Sequence, residues 1–163
     1  MKALIGTFLY TGYLKPAPGT WGSLAALPFV WVLHVLGGPL LLAAATLAAF
    51  TAGLWATRGL TEDMGQEDPS EIVIDEVVGM WIAMLPVSIG AAMMGADILA
   101  LYPGWIAAFL AFRLFDIWKP WLVGKADRRG DPLGVMLDDV WAGVFAGVVT
   151  VALAAFSHMV LMG

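Results

Sequence analysis

Four long stretches of this 163-residue chain contain no Asp, Glu, Lys or Arg, and they limit the folds that it can adopt. They cover residues 16–57, 77–96, 98–112 and 140–163. A helix that crosses the hydrocarbon core of a bilayer needs about 20 apolar residues, so stretches of this kind predict membrane-spanning helices. The first stretch is long enough for two such helices, and Gly37-Gly38-Pro39 interrupts it. We therefore expect a hairpin of two helices there.

The composition agrees with a membrane protein. Hydrophobic residues make up 61% of the chain and charged residues 13%, whereas about 25% of the residues in a soluble domain are charged. The sequence predicts an all-α, polytopic membrane bundle of about five spanning or near-spanning helices, preceded by a short N-terminal interfacial helix. Residues 1–163 form a single domain in this interpretation. The absence of cysteine excludes disulfides, thiolate metal ligands and a cysteine nucleophile.

Glycine, proline and polar residues set the predicted helix ends. We expect the interfacial helix at residues 2–14, a Pro/Gly loop at 15–23, and a first spanning helix that ends near residue 36. The other spanning helices are predicted at 39–59, 69–94, 104–121 and 134–161. An acidic loop at 61–68 and a basic loop at 123–134 are expected between them. Asp68-Pro69-Ser70-Glu71 has the pattern of a capping box with proline at the first helical position, so the third spanning helix should begin there.

The basic residues fall on one side of the predicted bundle. When the spans alternate in direction, all eight Lys and Arg residues lie at the same end, and the opposite turns at 37–39 and 95–103 contain none. An excess of Lys and Arg marks the cytoplasmic side of a membrane protein. We therefore expect this charged end to face the cytoplasm.

Acidic residues precede small residues on one stripe of two predicted helices. At intervals of four, the first stripe contains Glu71, Asp75, Gly79 and Ala83, and the second contains Asp139, Gly143 and Gly147. Helices that pack closely through glycine and carry carboxylates at the same end can hold a divalent metal ion. We therefore predict that the two stripes face each other. On this basis Gly143→Leu should separate the acids, whereas Gly143→Ala should be mild.

Five acids inside the helices are the candidate metal ligands. They lie one to two turns below the predicted cytoplasmic ends: Asp75, Glu76, Asp116, Asp138 and Asp139. Carboxylates at that depth are costly unless they are paired or bind a metal ion. Simpler explanations stay open. Acids near helix N-termini can complement the helix dipole, Arg113 can pair with Asp116 three residues on, and the Gly-rich segment 18–23 can be a turn instead of a phosphate-binding loop.

Missing motifs narrow the chemistry. The sequence has neither the Cys-x5-Arg of thiolate phosphatases nor the Asp-x-Asp-x-Thr of aspartyl-phosphate enzymes. Carboxylates, basic residues and Mg²⁺ remain as the means of catalysis. That combination suits phosphoryl chemistry by metal-activated water.

Four motifs follow one another along the chain. They are Pro18-Gly19-Thr20-x-Gly22-Ser23-Leu24, Asp75-Glu76-x-x-Gly79-Met80-Trp81, Arg113-x-x-Asp116-x-x-Lys119-Pro120 and Gly134-Val135-Met136-x-Asp138-Asp139-x-x-Ala142-Gly143. Together they resemble the motifs of the phosphatidylglycerophosphatase A family. The resemblance implies a Mg²⁺-dependent, all-helical phosphatase of the bacterial inner membrane. Such an enzyme converts phosphatidylglycerophosphate to phosphatidylglycerol in phospholipid biosynthesis.

The sequence departs from the family pattern at two places. The family often continues Lys-Pro-x-Pro, whereas Trp121-Leu122 follows Lys119-Pro120 here. Asp131-Pro132 replaces the Gly-Gly that precedes the last motif. Asp131 therefore inherits no family role, whereas Asp127 matches a family Asp.

We expect the carboxylates to gather around one or two Mg²⁺ ions that hold the phosphomonoester and activate a water molecule. The predicted metal ligands are Asp75, Glu76, Asp116, Asp138 and Asp139, and the predicted catalytic residues are Asp75, Glu76, Asp116 and Asp139. The predicted substrate-binding residues are Thr20, Ser23, Arg113, Lys119 and Arg128. Whether water or an Asp is the nucleophile stays open.

Two other functions use the same features. The acids could line the pathway of a small divalent-cation transporter, although they lie at one end and the far half of the spans lacks a polar track. A non-catalytic membrane scaffold is the third interpretation. We expect a phospholipid substrate, association with the membrane, no nucleic acid and no obligatory protein partner.

Overall fold

The computed structural model describes residues 1–65 and 69–162, and these residues form helices and turns without a strand. The α-helices are α1 (Lys2–Gly6), α2 (Pro18–Met64), α3 (Ile74–Met94), α4 (Tyr102–Trp118), α5 (Trp121–Asp127) and α6 (Pro132–Met162). Short 3-10 helices at Thr11–Tyr13 and Ile98–Leu101 lie between them. The predicted all-helical fold is confirmed.

Four of these helices are long and apolar enough to cross a membrane. The apolar span of α2, Pro18–Asp63, is too long for one crossing. A straight helix of that length would extend about 69 Å, against a hydrocarbon core of about 30 Å. The backbone angles of Gly37 and Gly38 are not helical, and Gly38 has a φ of 63° that glycine adopts without strain. The predicted interruption at Gly37-Gly38-Pro39 is confirmed.

The two arms of α2, α2a (residues 18–36) and α2b (residues 39–64), run antiparallel. Gly22 of α2a packs against Val73, and Gly53 of α2b packs against the next residue, Ile74. In one straight helix these glycines would lie about 47 Å apart. Contact with two adjacent residues therefore requires a hairpin, which gives the described chain five long helical segments.

α3 lies at the centre of the bundle. Its apolar span is 56% buried, compared with 28% or less for the other three spans. Trp81 Nε1 donates a hydrogen bond to the carbonyl oxygen of Ala26 (3.0 Å), and His34 Nδ1 lies 2.7 Å from Ser88 Oγ. Because α3 also packs against α4 and α6, it fixes the relative positions of the helices that carry the acids.

α3 and α6 are in backbone contact through glycine. A Cβ atom on Gly143 would overlap the carbonyl oxygen of Gly79, and one on Gly79 would lie 2.6 Å from the carbonyl oxygen of Asp139. The buried ring of Phe112 from α4 packs on the same seam. Small residues allow this approach between helices in lipid, where packing replaces the hydrophobic driving force. The predicted pairing of the two stripes is confirmed.

The start of α3 differs from the prediction. The helix begins at Ile74 and not near Pro69. The N–H of Val73 donates instead to the carbonyl oxygen of Gly6 (2.9 Å), a tertiary bond that holds the preceding turn outside the helix. Glu71 therefore does not belong to the helical stripe, which starts one member later than predicted.

The end of α2b also differs. The helix continues to Met64, whereas the sequence predicts its end near Gly59 and a loop from residue 61. Asp68, which opens the predicted capping box, lies outside the described residues.

A turn and a further short helix follow α4. The helix ends at Trp118, where the sequence predicts that it continues to residue 121. Lys119 has a left-handed φ of 51°, and Pro120 disfavours a right-handed helical conformation for the residue before it. Helix α5 then forms at Trp121–Asp127, partly within the predicted basic loop. The reversal brings Asp127 back to Lys119.

The N-terminal segment is less helical than predicted. Only Lys2–Gly6 is α-helical, because the backbone of residues 8–10 has positive φ angles. The buried hydroxyl of Thr7 donates to the carbonyl oxygen of Ala3 (2.7 Å) and accepts from the N–H of Tyr10 (3.1 Å). The ring of Phe8 packs edge-on against Phe29 of α2a, with the centroids 5.2 Å apart. An interfacial position for this segment stays a prediction.

Candidate active site

The predicted acids line one open cavity of about 250 Å³. It lies at the charged end of the bundle, where α2, α3 and α6 begin and α4 ends. Residues 17–19 form part of its wall. The charged residues that line it are Asp75, Glu76, Arg113, Asp116, Lys119, Asp138 and Asp139. All five candidate metal ligands therefore share one cavity with two of the predicted phosphate-binding residues.

Three of the acids form a tight group. One carboxylate oxygen from each of Asp75, Glu76 and Asp139 lies within 4.8 Å of the others. Asp75 and Glu76 occupy the first turn of α3, and Asp139 reaches them from α6. Backbone contact between Gly79 and Gly143 one turn further along makes this distance possible. Asp75 and Asp139 are 7% and 3% exposed.

Two oxygens of this group make no hydrogen bond with the part of the chain that the structure describes. Glu76 Oε2 and Asp139 Oδ1 are buried and accept no hydrogen bond from the described residues. Buried polar atoms without partners are rare in native proteins, and those that occur call for an explanation such as a bound ion. Carboxylate oxygens are the ligands that hard divalent cations prefer. The group therefore fits a divalent cation.

Arg113 and Asp116 contribute a second pair of charges from the last turns of α4. Arg113 Nη1 lies 2.6 Å from Asp116 Oδ2, although the contact does not have hydrogen-bond geometry. Arg113 Nε and Nη1 are buried and donate no hydrogen bond within the described part of the chain. The guanidinium group is therefore charge-paired but keeps free donors at the cavity.

Gly19, at the start of α2a, packs against the charged groups. A Cβ atom there would overlap Glu76 Oε1 and would lie 3.2 Å from Arg113 Nη1. The close approach explains why a residue without a side chain occupies this position.

Lys119 binds two carboxylates. Its Nζ donates to Asp138 Oδ2 at 2.9 Å and also to Asp127 Oδ1. Burial lowers the pKa of Lys119, but the hydrogen bonds to Asp127 and Asp138 outweigh burial and raise the pKa above its usual value. Asp138 Oδ1 accepts the N–H of Asp139 (2.9 Å). Both oxygens of Asp138 are therefore occupied, in contrast to Asp139 Oδ1, which accepts no hydrogen bond from the described residues.

Three predicted substrate-binding residues are not among the residues that line the cavity: Thr20, Ser23 and Arg128. Ser23 is fully buried, and its hydroxyl donates to the carbonyl oxygen of Gly19 (2.8 Å). Arg128 is exposed at the end of α5. Roles of these three residues in substrate binding stay predictions.

Sequence reasoning did not assign contacts to Asp127 or Asp131. Asp127 bonds to Lys119, and no helical interval relates two positions separated by a proline turn. Asp131 accepts two hydrogen bonds from Arg129, at 3.1 and 2.9 Å, and one from the N–H of Gly134 at 2.7 Å. Asp131 thus caps the start of α6, and a Ser/Thr/Asp/Asn signal before the helix could have identified it.

Comparison with known proteins gives consistent matches. The family model of Phosphatidylglycerophosphatase A matches residues 4–154. A Bacteroides thetaiotaomicron protein named "Putative phosphatidylinositol-3-phosphatase" is 41% identical over 151 residues, which cover 90% of this chain and 89% of that protein.

Two further relatives are named Phosphatidylglycerophosphatase A. The Haemophilus influenzae protein is 37% identical over 145 residues, covering 88% of this chain and 82% of the relative. The Escherichia coli protein is 36% identical over 138 residues, which cover 83% of this chain and 73% of the relative. No solved structure matches the chain significantly.

Proposed function

The chain belongs to the phosphatidylglycerophosphatase A family, and on that premise we propose that it is a Mg²⁺-dependent lipid phosphatase. The proposed substrate is phosphatidylglycerophosphate, a phospholipid with a terminal phosphomonoester. Water adds to the phosphorus, the bond between phosphorus and the glycerol oxygen breaks, and that oxygen takes a proton. The products are phosphatidylglycerol and inorganic phosphate.

One observation carries the proposal: buried atoms of both signs at the cavity make no hydrogen bond within the described residues. Glu76 Oε2 and Asp139 Oδ1 are acceptors without a donor, and Arg113 Nε and Nη1 are donors that make no hydrogen bond within the described residues. A cation alone would leave the guanidinium donors unsatisfied, and a phosphate alone would face the carboxylates. A divalent cation together with a phosphate group would satisfy both sets.

The residues that would hold Mg²⁺ are Asp75, Glu76 and Asp139, whose oxygens lie close together. Mg²⁺ is usually bound through one or two carboxylates, water and substrate phosphate, so three acids suffice. When bound, the ion would supply a Lewis acid that polarises the phosphate and activates water. Asp138 and Asp116 are already paired with basic residues, and we assign them to the orientation of those residues.

The protein itself offers cations for the charge of the transferring phosphoryl group. Arg113 and Lys119 both line the cavity. Charge-assisted hydrogen bonds from fixed donors stabilise such charge, and they are strongest where water is excluded. Asp116 beside Arg113, and Asp138 beside Lys119, hold these donors in place.

The divalent-cation transporter is less well supported. Beyond the acids, the backbone contact between Gly79 and Gly143 closes the seam of α3 and α6. The fully buried side chains of Met80, Met84 and Phe112 fill the adjacent interior. The described residues therefore offer no continuous polar path from the acids to the opposite end.

We further propose that the protein lies in the bacterial inner membrane with the cavity facing the cytoplasm. Four apolar helices support membrane insertion. Each Lys and Arg of the chain belongs to a segment at the cavity end of the bundle, which matches the positive-inside distribution.

Phosphate release by the purified protein tests the proposal. The lipids to compare are phosphatidylglycerophosphate and phosphatidylinositol 3-phosphate, because names of the relatives include enzymes for both head groups. We expect phosphate release to depend on Mg²⁺ and to be faster from phosphatidylglycerophosphate. The substitution Asp139→Asn should abolish it. Release that persists at full rate in excess EDTA would refute the metal requirement, and equal or faster hydrolysis of the inositol lipid would refute the substrate assignment.

A further inference from the structure

Lys119 sits between a carboxylate of the cavity and one outside it. The side chain of Asp138 is 9% exposed and lines the cavity. The side chain of Asp127, in α5, is 39% exposed and is not among the residues that line the cavity. The same ammonium nitrogen donates to both. Lys119 is thus the connection between α5 and the cavity.

The packing of α5 keeps this connection short. A Cβ atom on Gly124 would lie 2.5 Å from the carbonyl oxygen of Lys119, so α5 rests on the backbone of the residue whose side chain it binds. Lys119 itself has the left-handed conformation that ends α4. The turn and the helix therefore place Asp127 beside Lys119, eight positions earlier in the chain.

We propose that Asp127 is a positioning residue, which holds the Lys119 ammonium at the cavity so that it can bind a phosphate oxygen. The inference rests on the proposed function, because it assumes a phosphate ligand. A lysine ammonium has three donors on a flexible four-carbon stem. Asp127 and Asp138 occupy two of them and leave the third for the ligand. Without Asp127, a single carboxylate would orient the group, and the ammonium would be free to turn away from the phosphate.

A double-mutant cycle tests this role with inorganic phosphate, the reaction product, as the probe. Its dissociation constant is measured by calorimetry in Mg²⁺ for the wild type, Asp127→Asn, Lys119→Gln and the double variant. Asp127→Asn should weaken phosphate binding about tenfold, the size of one charge-assisted hydrogen bond. In the Lys119→Gln background the same substitution should change binding less than about twofold, because residues that act through one contact are not additive.

Kinetics supply a second measurement that a merely structural role would not reproduce. Asp127→Asn should raise KM and leave kcat within about twofold, as expected for lost binding that is common to substrate and transition state. Asp127→Glu, which keeps the charge, should restore most of the affinity. Asp131→Asn is the matched control, because Asp131 is similarly exposed and lies in the same region but pairs with Arg129. Asparagine also preserves a helix cap.

The proposal is overturned if Asp127→Asn leaves phosphate affinity unchanged, or if it weakens binding equally with and without Lys119. Equal effects from Asp131→Asn would likewise assign Asp127 to stability alone. A lower kcat at constant KM would place the effect in the transition state only and would overturn the role in phosphate binding. Failure of the proposed function has a different signature, since wild-type protein would then release no phosphate from either lipid while the calorimetric cycle could still be read.

Discussion

Gly143 of α6 packs its backbone directly against the carbonyl group of Gly79 in α3. The contact lies one turn beyond Asp139 and one turn beyond Asp75. The separation of the two helices at this point therefore sets the separation of the carboxylates, and several expectations depend on it.

Substitution of Gly143, even by alanine, should strongly reduce stability and activity. The sequence predicts a mild effect of Gly143→Ala, but the structure corrects this, because the added Cβ would meet backbone atoms that cannot move aside as a side chain can. Overpacking of this kind costs about 1–3 kcal/mol, and misplacement by about 1 Å can reduce a rate about a hundredfold. We expect both Gly143→Ala and Gly143→Leu to lower the midpoint of thermal unfolding and the phosphatase rate, with partial rescue of the rate by raised Mg²⁺.

Gly147→Ala provides the matched control for that prediction. Its Cβ would lie 3.4 Å from Pro86 Cγ, an ordinary contact. The variant should retain near-wild-type stability and rate. If Gly143→Leu were fully active, the α3–α6 seam could not be what positions the acids.

Asp75→Asn and Asp139→Asn should each inactivate the folded protein. Loss of a residue that merely orients a metal ligand costs about 10- to 100-fold, so loss of a direct ligand should reduce the rate by at least about a hundredfold. In EDTA, Asp139→Asn should unfold at the same temperature as the wild type or higher, because one of three neighbouring carboxylates is gone. Near-normal turnover of either variant at saturating Mg²⁺ would exclude that residue as a ligand.

Thermal unfolding with and without Mg²⁺ should separate Asp138 from Asp139. An ion present at 100 times its dissociation constant stabilises the folded state by about 2.7 kcal/mol, so the wild type should unfold at a higher temperature in Mg²⁺. Asp139→Asn should lose this shift. Asp138→Asn should keep most of it, because Asp138 is paired with Lys119 and lies outside the three-carboxylate group. If both variants lost the Mg²⁺-induced shift equally, Asp138 would also be a direct ligand.

Gly19→Ala should impair catalysis more than stability. The new Cβ would overlap the carboxylate of Glu76, whose side chain can move aside but only by leaving its place at the cavity. We expect a lower rate with a nearly unchanged unfolding midpoint. Gly90→Ala, whose Cβ would lie 3.9 Å from Leu101 Cδ1, should change neither quantity. An unaffected rate in Gly19→Ala would show that the position of Glu76 is not critical.

Single cysteines, introduced into a chain that has none, can test the proposed topology. Cysteines at positions 62 and 128 should react with a membrane-impermeant reagent only from the cytoplasmic side, and a cysteine at position 97 only from the opposite side. The physical basis is the confinement of Lys and Arg to one end of the bundle. Labelling of positions 62 and 128 from opposite sides would contradict the hairpin of α2a and α2b.

Local patterns explain what could be predicted from the residues alone. The uncharged stretches, the break at Gly37-Gly38-Pro39 and the acid-to-glycine spacing each depend on residues a few positions apart. Helical geometry converts such spacing into a shared face. The sequence alone therefore places Asp75, Glu76 and Asp139 at one end of adjacent helices.

A tertiary contact decided that Asp138 is paired with a basic residue. The helical interval of three already allows the first pair, Arg113 with Asp116. The second pair joins Lys119 to Asp138, 19 positions further along the chain. The left-handed turn at Lys119 and the short helix after it determine the second of these pairings. No period in the sequence encodes that turn.

The start of α3 likewise depends on a tertiary contact that the local sequence does not predict. Its capping pattern favours a helix from Pro69, but a main-chain hydrogen bond from Val73 to Gly6 holds the turn in another conformation. The sequence by itself determined the bundle of long apolar helices and the face that carries the acids, because hydrophobicity and helical periodicity are local. Only the tertiary structure decided that Lys119 pairs with Asp138, because that contact depends on the turn and the short helix between them.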